Sequence, residues 1–532
     1  MGKLLCPPST NHGNCAHAIK KGLVLMLFAI KKYAQLAPES VAILGSHAAF
    51  TYAELDQAIT ALTEKLAAMQ PKVLGIAMDN GPAWVIADLA AMALGIPCIP
   101  LPLFFSASQI AHTINDAGID TLICDQPLTF ASLLQAQQIS IAHESTILIG
   151  EQIATALTLN AQNITIIPKQ TAKITYTSGT TAQPKGVCLS LNTMQSVAHS
   201  LLVATDAKDT DCHLCVLPLS TLLENLAGVY VPLLAGATVV ILPLAQVGIT
   251  GSSGFDVQKF MQAIQNKCAT SLILTPELLQ ALVSMIESGY PKPPQLRFIA
   301  VGGASVAPAL LARAAALDLP VFEGYGLSEC GSVVALNTPQ ANRIGSVGKP
   351  LPHISIQINS DREILVKGAR LIAYLGNEDT SNQSPEDTFL PTGDLGYVDD
   401  AGFLYINGRK KNMFITSFGR NVSPEWIERE LTATPHIQQA ILFGEAMPTN
   451  TAVIVASPQT SKIEIEKSIR HINASLPDYA SVHHWMLAES PFTTQNAQLT
   501  TNGRLRREAI WQQYQHQIKA ILVEKEYQHA VL

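Results

Sequence analysis

Between residues 41 and 125, short apolar runs alternate with longer stretches in which apolar residues return every three or four positions. Residues 41–45 (VAILG), 73–78 (VLGIAM) and 121–125 (TLICD) have the length and apolar density of buried strands. Thr51-Tyr52-Ala53-Glu54 has capping-box spacing and predicts a helix through Met69; residues 83–95 predict another, stopped by Gly95. The same rhythm returns later. Residues 214–219 read as a strand running into Ser220, followed by 236–242 (GATVVIL), a helix from Val257, 271–276 (SLILTP), a helix from Glu277, 297–303 (RFIAVGG) and 321–323. Alternation of this kind predicts parallel sheets with helices on both faces. Residues 397–406 predict a hairpin turning at Asp400-Ala401-Gly402, and mixed α/β patterning of small-domain size follows. The expected class is therefore α/β, with a large layered N-terminal domain over 31–407 and a small α+β domain over 408–532.

The first 30 residues are expected to be an N-terminal extension. Residues 22–30 (GLVLMLFAI) are apolar and flanked by Lys20-Lys21 and Lys31-Lys32, as in a signal peptide, but no small-residue cleavage site follows. Nine residues cannot span a bilayer. The plainer reading is a first amphipathic helix (LFAIKKYAQLA), with Met26 as an alternative start. Met1 to Cys6 match a myristoylation signal poorly, because Cys6 stands at its Ser/Thr position.

Composition changes the picture only a little. A chain of 532 residues, 48% apolar and 14% charged, is a well-packed globular protein long enough for more than one domain. A net charge of -7 leaves no basic footprint for nucleic acid. Nine cysteines without framework spacing favour a reducing, cytoplasmic compartment. Cys212-His213-Leu214-Cys215 could be half of a metal site, but no second pair at zinc spacing accompanies it, and buried thiols beside a strand are the preferred reading.

The richest stretch chemically is Ile174 to Val187 (ITYTSGTTAQPKGV). A β-rich entry runs into hydroxyls, glycine and one lysine, as a polyphosphate-binding loop requires: free backbone N–H groups, little bulk and a mobile cation. It cannot be aligned with G-x-x-x-x-G-K-[ST]. Its order closely resembles the phosphate loop of the adenylate-forming superfamily, [YF]-T-S-G-T-T-G-x-P-K-G, with Ala182 where glycine is usual. That change strains the loop if the backbone there needs positive φ, and is harmless otherwise.

Further motifs extend the resemblance over roughly residues 35 to 515. Tyr325-Gly326-Leu327-Ser328-Glu329 resembles Y-G-x-[ST]-E, and Thr392-Gly393-Asp394 with Gly408-Arg409-Lys410-Lys411 resembles T-G-D and [GD]-R-x-[KD]. The resemblance implies that Thr177, Ser178, Gly179, Thr180, Thr181 and Lys185 cradle the β- and γ-phosphates of ATP. It implies that Gly303 and Ala304 let the adenine approach, Tyr325 stacks on it beside Gly326, Ser328 meets the α-phosphate, and Glu329 holds Mg²⁺. Asp394 would grip the ribose with Arg409 in support. Lys411 would be the hinge of a mobile C-terminal domain, and Gly419 would line the tunnel for the thiol.

The pattern is closest to long-chain acyl-CoA synthetases, but two stretches depart from it. Where those enzymes read P-L-[AS]-H-x-x-E-R, Pro218, Leu219 and Glu224 match while Thr221 replaces the histidine and Asn225 the arginine. Where they read F-T-x-x-N-G-x-L-T-x-T-x-K, residues 492–504 follow closely but Arg504 replaces the catalytic lysine. A guanidinium is planar, wide and always charged, so Arg504 either clamps the transition state or slows adenylation. The implied activity is activation of a carboxylic acid, fatty or otherwise hydrophobic, by ATP and Mg²⁺, with transfer to coenzyme A. The alternatives are transfer to an acyl carrier protein and a non-catalytic nucleotide binder. Membrane association is compatible with a fatty-acid enzyme, but no segment requires it.

Overall fold

The computed structural model describes residues 24–160, 166–177, 184–250, 254–376, 388–417, 420–500 and 503–530. Two sheets with parallel centres dominate. In one, strands Thr171–Thr177, Cys98–Pro100, Leu74–Ala77 and Thr121–Cys124 lie side by side in that order. In the other, the parallel order is Val321–Tyr325, Phe298–Val301, Ser271–Leu274, Cys212–Leu214, Thr238–Val240 and Val41–Leu44. Strands such as Leu74–Ala77 and Phe298–Val301 are apolar on both faces because helices cover both. The capping box at Thr51 forms as expected, with Glu54 N–H donating to Thr51 Oγ1 at 3.2 Å and Thr51 N–H to Glu54 Oε2 at 2.8 Å, and the helix runs Tyr52–Met69. Pro82–Leu94 ends on left-handed Gly95.

The first helix, Leu25–Leu36, buries Leu25, Met26, Ala29 and Ile30. It packs on Tyr52–Met69 and Val231–Ala235, so residues 25–30 belong to the large core rather than to an extension. Residues 1–23 lie outside the described residues.

The strand expected over 214–219 is shorter than its apolar run. It spans Cys212–Leu214, and its last ladder bond joins Cys215 N–H to Val240 O at 3.0 Å. Pro218 has no N–H to continue the ladder, and the Asn80 side chain takes over, accepting from Leu219 N–H at 2.8 Å and donating to Leu217 O at 2.9 Å. The chain then enters a π-helix, Glu224–Tyr230, which is buried almost throughout.

An antiparallel sheet, Ile354–Ile358, Glu363–Gly368, Leu390–Val398 and Leu404–Arg409, carries the 397–406 hairpin, whose turn closes as expected through Gly402 N–H to Asp399 O at 2.9 Å. Beyond it, Ile437–Phe443, Asn450–Ala456 and Val482–Leu487 form a three-stranded sheet. Helices Pro424–Thr432 and Lys462–Asn473 pack on one face and Arg507–Ala530 on the other, each with its own apolar cluster. Among the described residues no helix is long and apolar enough to cross a membrane. The seven described cysteines are unpaired.

Candidate active site

A cleft of about 2480 Å³ opens at the carboxyl ends of the parallel strands, and its lining includes Lys185, Tyr325, Glu329, Asp394, Arg409 and Arg504. Such strand ends are where open α/β sheets bind ligands. The phosphate-loop stretch sits between antiparallel strands, Thr171–Thr177 and Lys185–Ser190, with Thr177 opposite Lys185. Lys185 is exposed at the start of the return strand. Ser178, Gly179, Thr180, Thr181 and Ala182 lie outside the described residues, as does Gly419.

Asp394 has two side-chain partners in the cleft. The antiparallel register sets it opposite Arg409, whose Nε donates to Asp394 Oδ1 at 2.7 Å. Tyr325, at the end of its strand, donates its hydroxyl to Asp394 Oδ2 at 2.6 Å. Burial pushes the Asp394 carboxyl up from its ordinary range, and the Arg409 cation opposes that shift. Each carboxylate oxygen keeps acceptor capacity, so two further hydroxyls could bind. Gly326 follows Tyr325 for steric reasons: a Cβ there would lie 1.5 Å from Ser332 O.

The chain then makes a short turn, Ser328–Cys330, that presents Glu329 to the cleft. Tyr374 OH donates to Glu329 Oε1 at 2.9 Å, which leaves the second oxygen for a hard cation. One carboxylate together with phosphate oxygens is a donor set that suits Mg²⁺, so the residues present fit that ion.

Arg504 arrives from the C-terminal part and donates from Nη2 to Gly303 O at 3.3 Å. Gly303 and Ala304 line the cleft beside it. Arg409, Arg504 and Lys411 crowd one wall; Lys411 is pushed down first by burial and then by these two cations. Such a wall is built to meet several negative charges.

Two features escaped the sequence reading. Arg429, on Pro424–Thr432, donates from Nη1 to Ser305 Oγ at 3.0 Å, bridging the two parts of the chain beside the cleft. Below Ser305 lies Glu323, 6% exposed, whose carboxyl is raised to about 7 by burial, with the Arg429 charge pulling it back. A charged residue inside the apolar run VFE was the available signal. The second feature is a buried group, Lys173, Asp88, Asn225 and Tyr230. Lys173 Nζ lies 2.8 Å from Asp88 Oδ1 and contacts Asn225 Oδ1, while Tyr230 OH donates to Asp88 Oδ2 at 2.6 Å.

Comparison with known proteins bears on this arrangement. Residues 30–370 match the family described as AMP-binding enzyme, and residues 411–526 match the AMP-binding enzyme C-terminal domain. The long-chain-fatty-acid–CoA ligase FadD15 of Mycobacterium bovis is 32% identical over 228 residues, a match covering 38% of this chain and 38% of that ligase. The 2-succinylbenzoate–CoA ligase of Bacillus subtilis is 28% identical over 429 residues, covering 77% of this chain and 83% of that one. Among solved structures, the anthranilate CoA ligase AuaEII in complex with anthranoyl-AMP shares the fold, with a TM-score of 0.76 at 16% identity over 91% of this chain and 96% of that one. The Bacillus subtilis o-succinylbenzoate coenzyme A synthetase in complex with ATP and magnesium gives a TM-score of 0.71 at 25% identity over 90% of this chain and 98% of that one.

Proposed function

Because the chain belongs to the AMP-binding enzyme family, we propose that it is an AMP-forming acid–thiol ligase, activating a carboxylic acid with ATP and passing the acyl group to coenzyme A. The observation that carries this reading is the convergence of Tyr325 and Arg409 on Asp394 in a cleft that also holds Glu329 and Arg504. The relative solved with ATP and magnesium, and the coenzyme A ligases among the relatives, support the same substrates.

In the adenylating step the acid's carboxylate attacks the α-phosphorus of ATP in line, and pyrophosphate leaves. Asp394 accepts the ribose hydroxyls, held in place by Arg409 and Tyr325. Lys185, with Thr177, Ser178, Gly179, Thr180 and Thr181, neutralises the β- and γ-phosphates, and Ser328 meets the α-phosphate. Glu329 would hold Mg²⁺, whose charge offsets that of the polyphosphate. Arg504 faces the charge that builds on the α-phosphate, so the protein's part is mainly positioning and charge stabilisation. In the second step the coenzyme A thiol attacks the acyl carbonyl and AMP leaves. We place the domain boundary near Gly408, the hinge at Lys411 and the thiol's path by Gly419.

A fatty or other hydrophobic acid is the proposed substrate class, since Leu222, Leu223 and Val231 line the cleft. Transfer to an acyl carrier protein is the second reading of the acceptor. A non-catalytic nucleotide binder is a second reading of the whole, resting on Arg504. Pyrophosphate release from the protein with Mg·ATP and a panel of carboxylic acids, with and without coenzyme A, tests all three. Acid-dependent release stimulated by coenzyme A is expected; ATP binding without release from any acid would overturn the ligase reading.

A further inference from the structure

The sheet face that walls the cleft is ranked by register. Gly302 stands at the mouth, Ile273 and Ala300 form the next rank, and His213, Ser271 and Phe298 lie in one row beneath them. Gly302 and Phe298 are four residues apart, so the lower row lies about 13 Å below the mouth. The facing wall is the π-helix and the residue before it, which contribute Ala227 and Leu223.

Small and apolar ranks would suit an alkyl or aryl tail, but the lower row is polar and organised. His213 Nδ1 meets Ser271 Oγ at 2.9 Å, and its Nε2 lies 3.4 Å from Oε1 of Glu224, which is 0% exposed. The other oxygen of Glu224, Oε2, is buried without a hydrogen-bond partner. Gly228 makes room for the pair: a Cβ there would lie 2.6 Å from Glu224 Oε1 and 2.9 Å from His213 Nε2. The imidazole is matched on both sides, but a plain hydrocarbon tail would cover Ser271 Oγ and leave its remaining hydrogen-bonding capacity unmet.

We infer that Ser271, held in place by His213 with Glu224 behind it, binds a hydroxyl carried on the tail of the acid, so that the substrate class is a hydroxylated hydrophobic acid. The inference rests on the ligase reading of the same cleft. A hydroxyl can donate or accept, so it pairs with Ser271 Oγ whichever way the His213–Ser271 hydrogen bond runs. A second carboxylate on the substrate would face Glu224 through His213, and a like charge there is unfavourable.

The test compares non-hydrolysable acyl-sulfamoyl adenosines by calorimetry: straight-chain acyl groups of graded length, their ω-hydroxy counterparts and their ω-carboxy counterparts. At the length that reaches His213, the hydroxylated analogue is expected to bind about tenfold tighter than the plain one, as one well-placed hydrogen bond allows. Ser271→Ala, a change of one oxygen, should bring the two within about twofold. Equal or weaker binding of the hydroxylated analogue at every length overturns the inference, and the wild-type comparison decides this even if the variant fails to fold. Tighter binding of the carboxylated analogue overturns it too. So does one zinc ion per chain retained through dialysis, since His213, Cys215 and Glu224 have donor atoms within 4.8 Å of one another. Binding of the hydroxylated analogue without pyrophosphate release from any acid would remove the ligase reading alone; failure of every analogue to bind removes both.

Discussion

Asp394 is held by two unlike donors, a guanidinium and a phenol, and its remaining lone pairs stay free for the proposed ribose hydroxyls. Asp394→Ala is expected to weaken ATP binding roughly a hundredfold, the loss of two hydrogen bonds to a charged acceptor, and to abolish thermal stabilisation by ATP. Arg504→Ala should slow acid-dependent pyrophosphate release about 10² to 10³-fold, the scale of one lost transition-state donor, while coenzyme A still consumes preformed acyl-adenylate. Arg504→Lys keeps the charge and removes the planar fork: release equal to that with Arg504 means that only the charge matters, and faster release that the width of the guanidinium slows adenylation. The motif residues were legible because each motif is contiguous and carries its chemistry in residue type. The Tyr325 hydroxyl was not. Its partner lies 69 residues on, and only the fold joins them.

At the scale of elements, the parallel strands and the capped helices stood out because local pattern and tertiary burial agree. The π-helix did not, since Glu224 and Asn225 interrupt its apolar residues and are themselves buried, so the stretch has no polar outer face whose period could be read. The false extension of the strand past Leu214 has the same cause: an apolar run ended by a side chain, Asn80, from another element. Asn225, which stands at the arginine of the P-L-[AS]-H-x-x-E-R pattern, lies in a group whose cation comes from Lys173, on the strand that leads to the proposed phosphate loop. Lys173 and Asp88 are 2% and 1% exposed, so removing one strands the other. Lys173→Met is expected to cost about 3 to 5 kcal/mol, seen as a fall in Tm of about 4 to 6 °C, with Asp88→Asn in the same background recovering part of it.

At the scale of the whole molecule, Lys411 is the proposed pivot, just beyond the last strand of the antiparallel sheet. Lys411→Pro fixes φ there and is expected to spare pyrophosphate release while abolishing acyl-coenzyme A formation, measured as two half-reactions. Arg429 crosses between the two parts to Ser305, over the buried Glu323. With its folded value near 7 against an ordinary 4.5, Glu323 keeps a proton that the unfolded chain gives up between those values. Its contribution to stability therefore falls as pH rises from 4.5 to 7. Glu323→Gln should flatten that part of a Tm-against-pH curve. The same carboxyl ties the proposed rotation to solution acidity. On that rotation Glu323 would lose the Arg429 cation, which pulls its proton off, and would meet water, which does the same, so Glu323→Gln should remove whatever pH dependence the exchange between the two half-reactions shows.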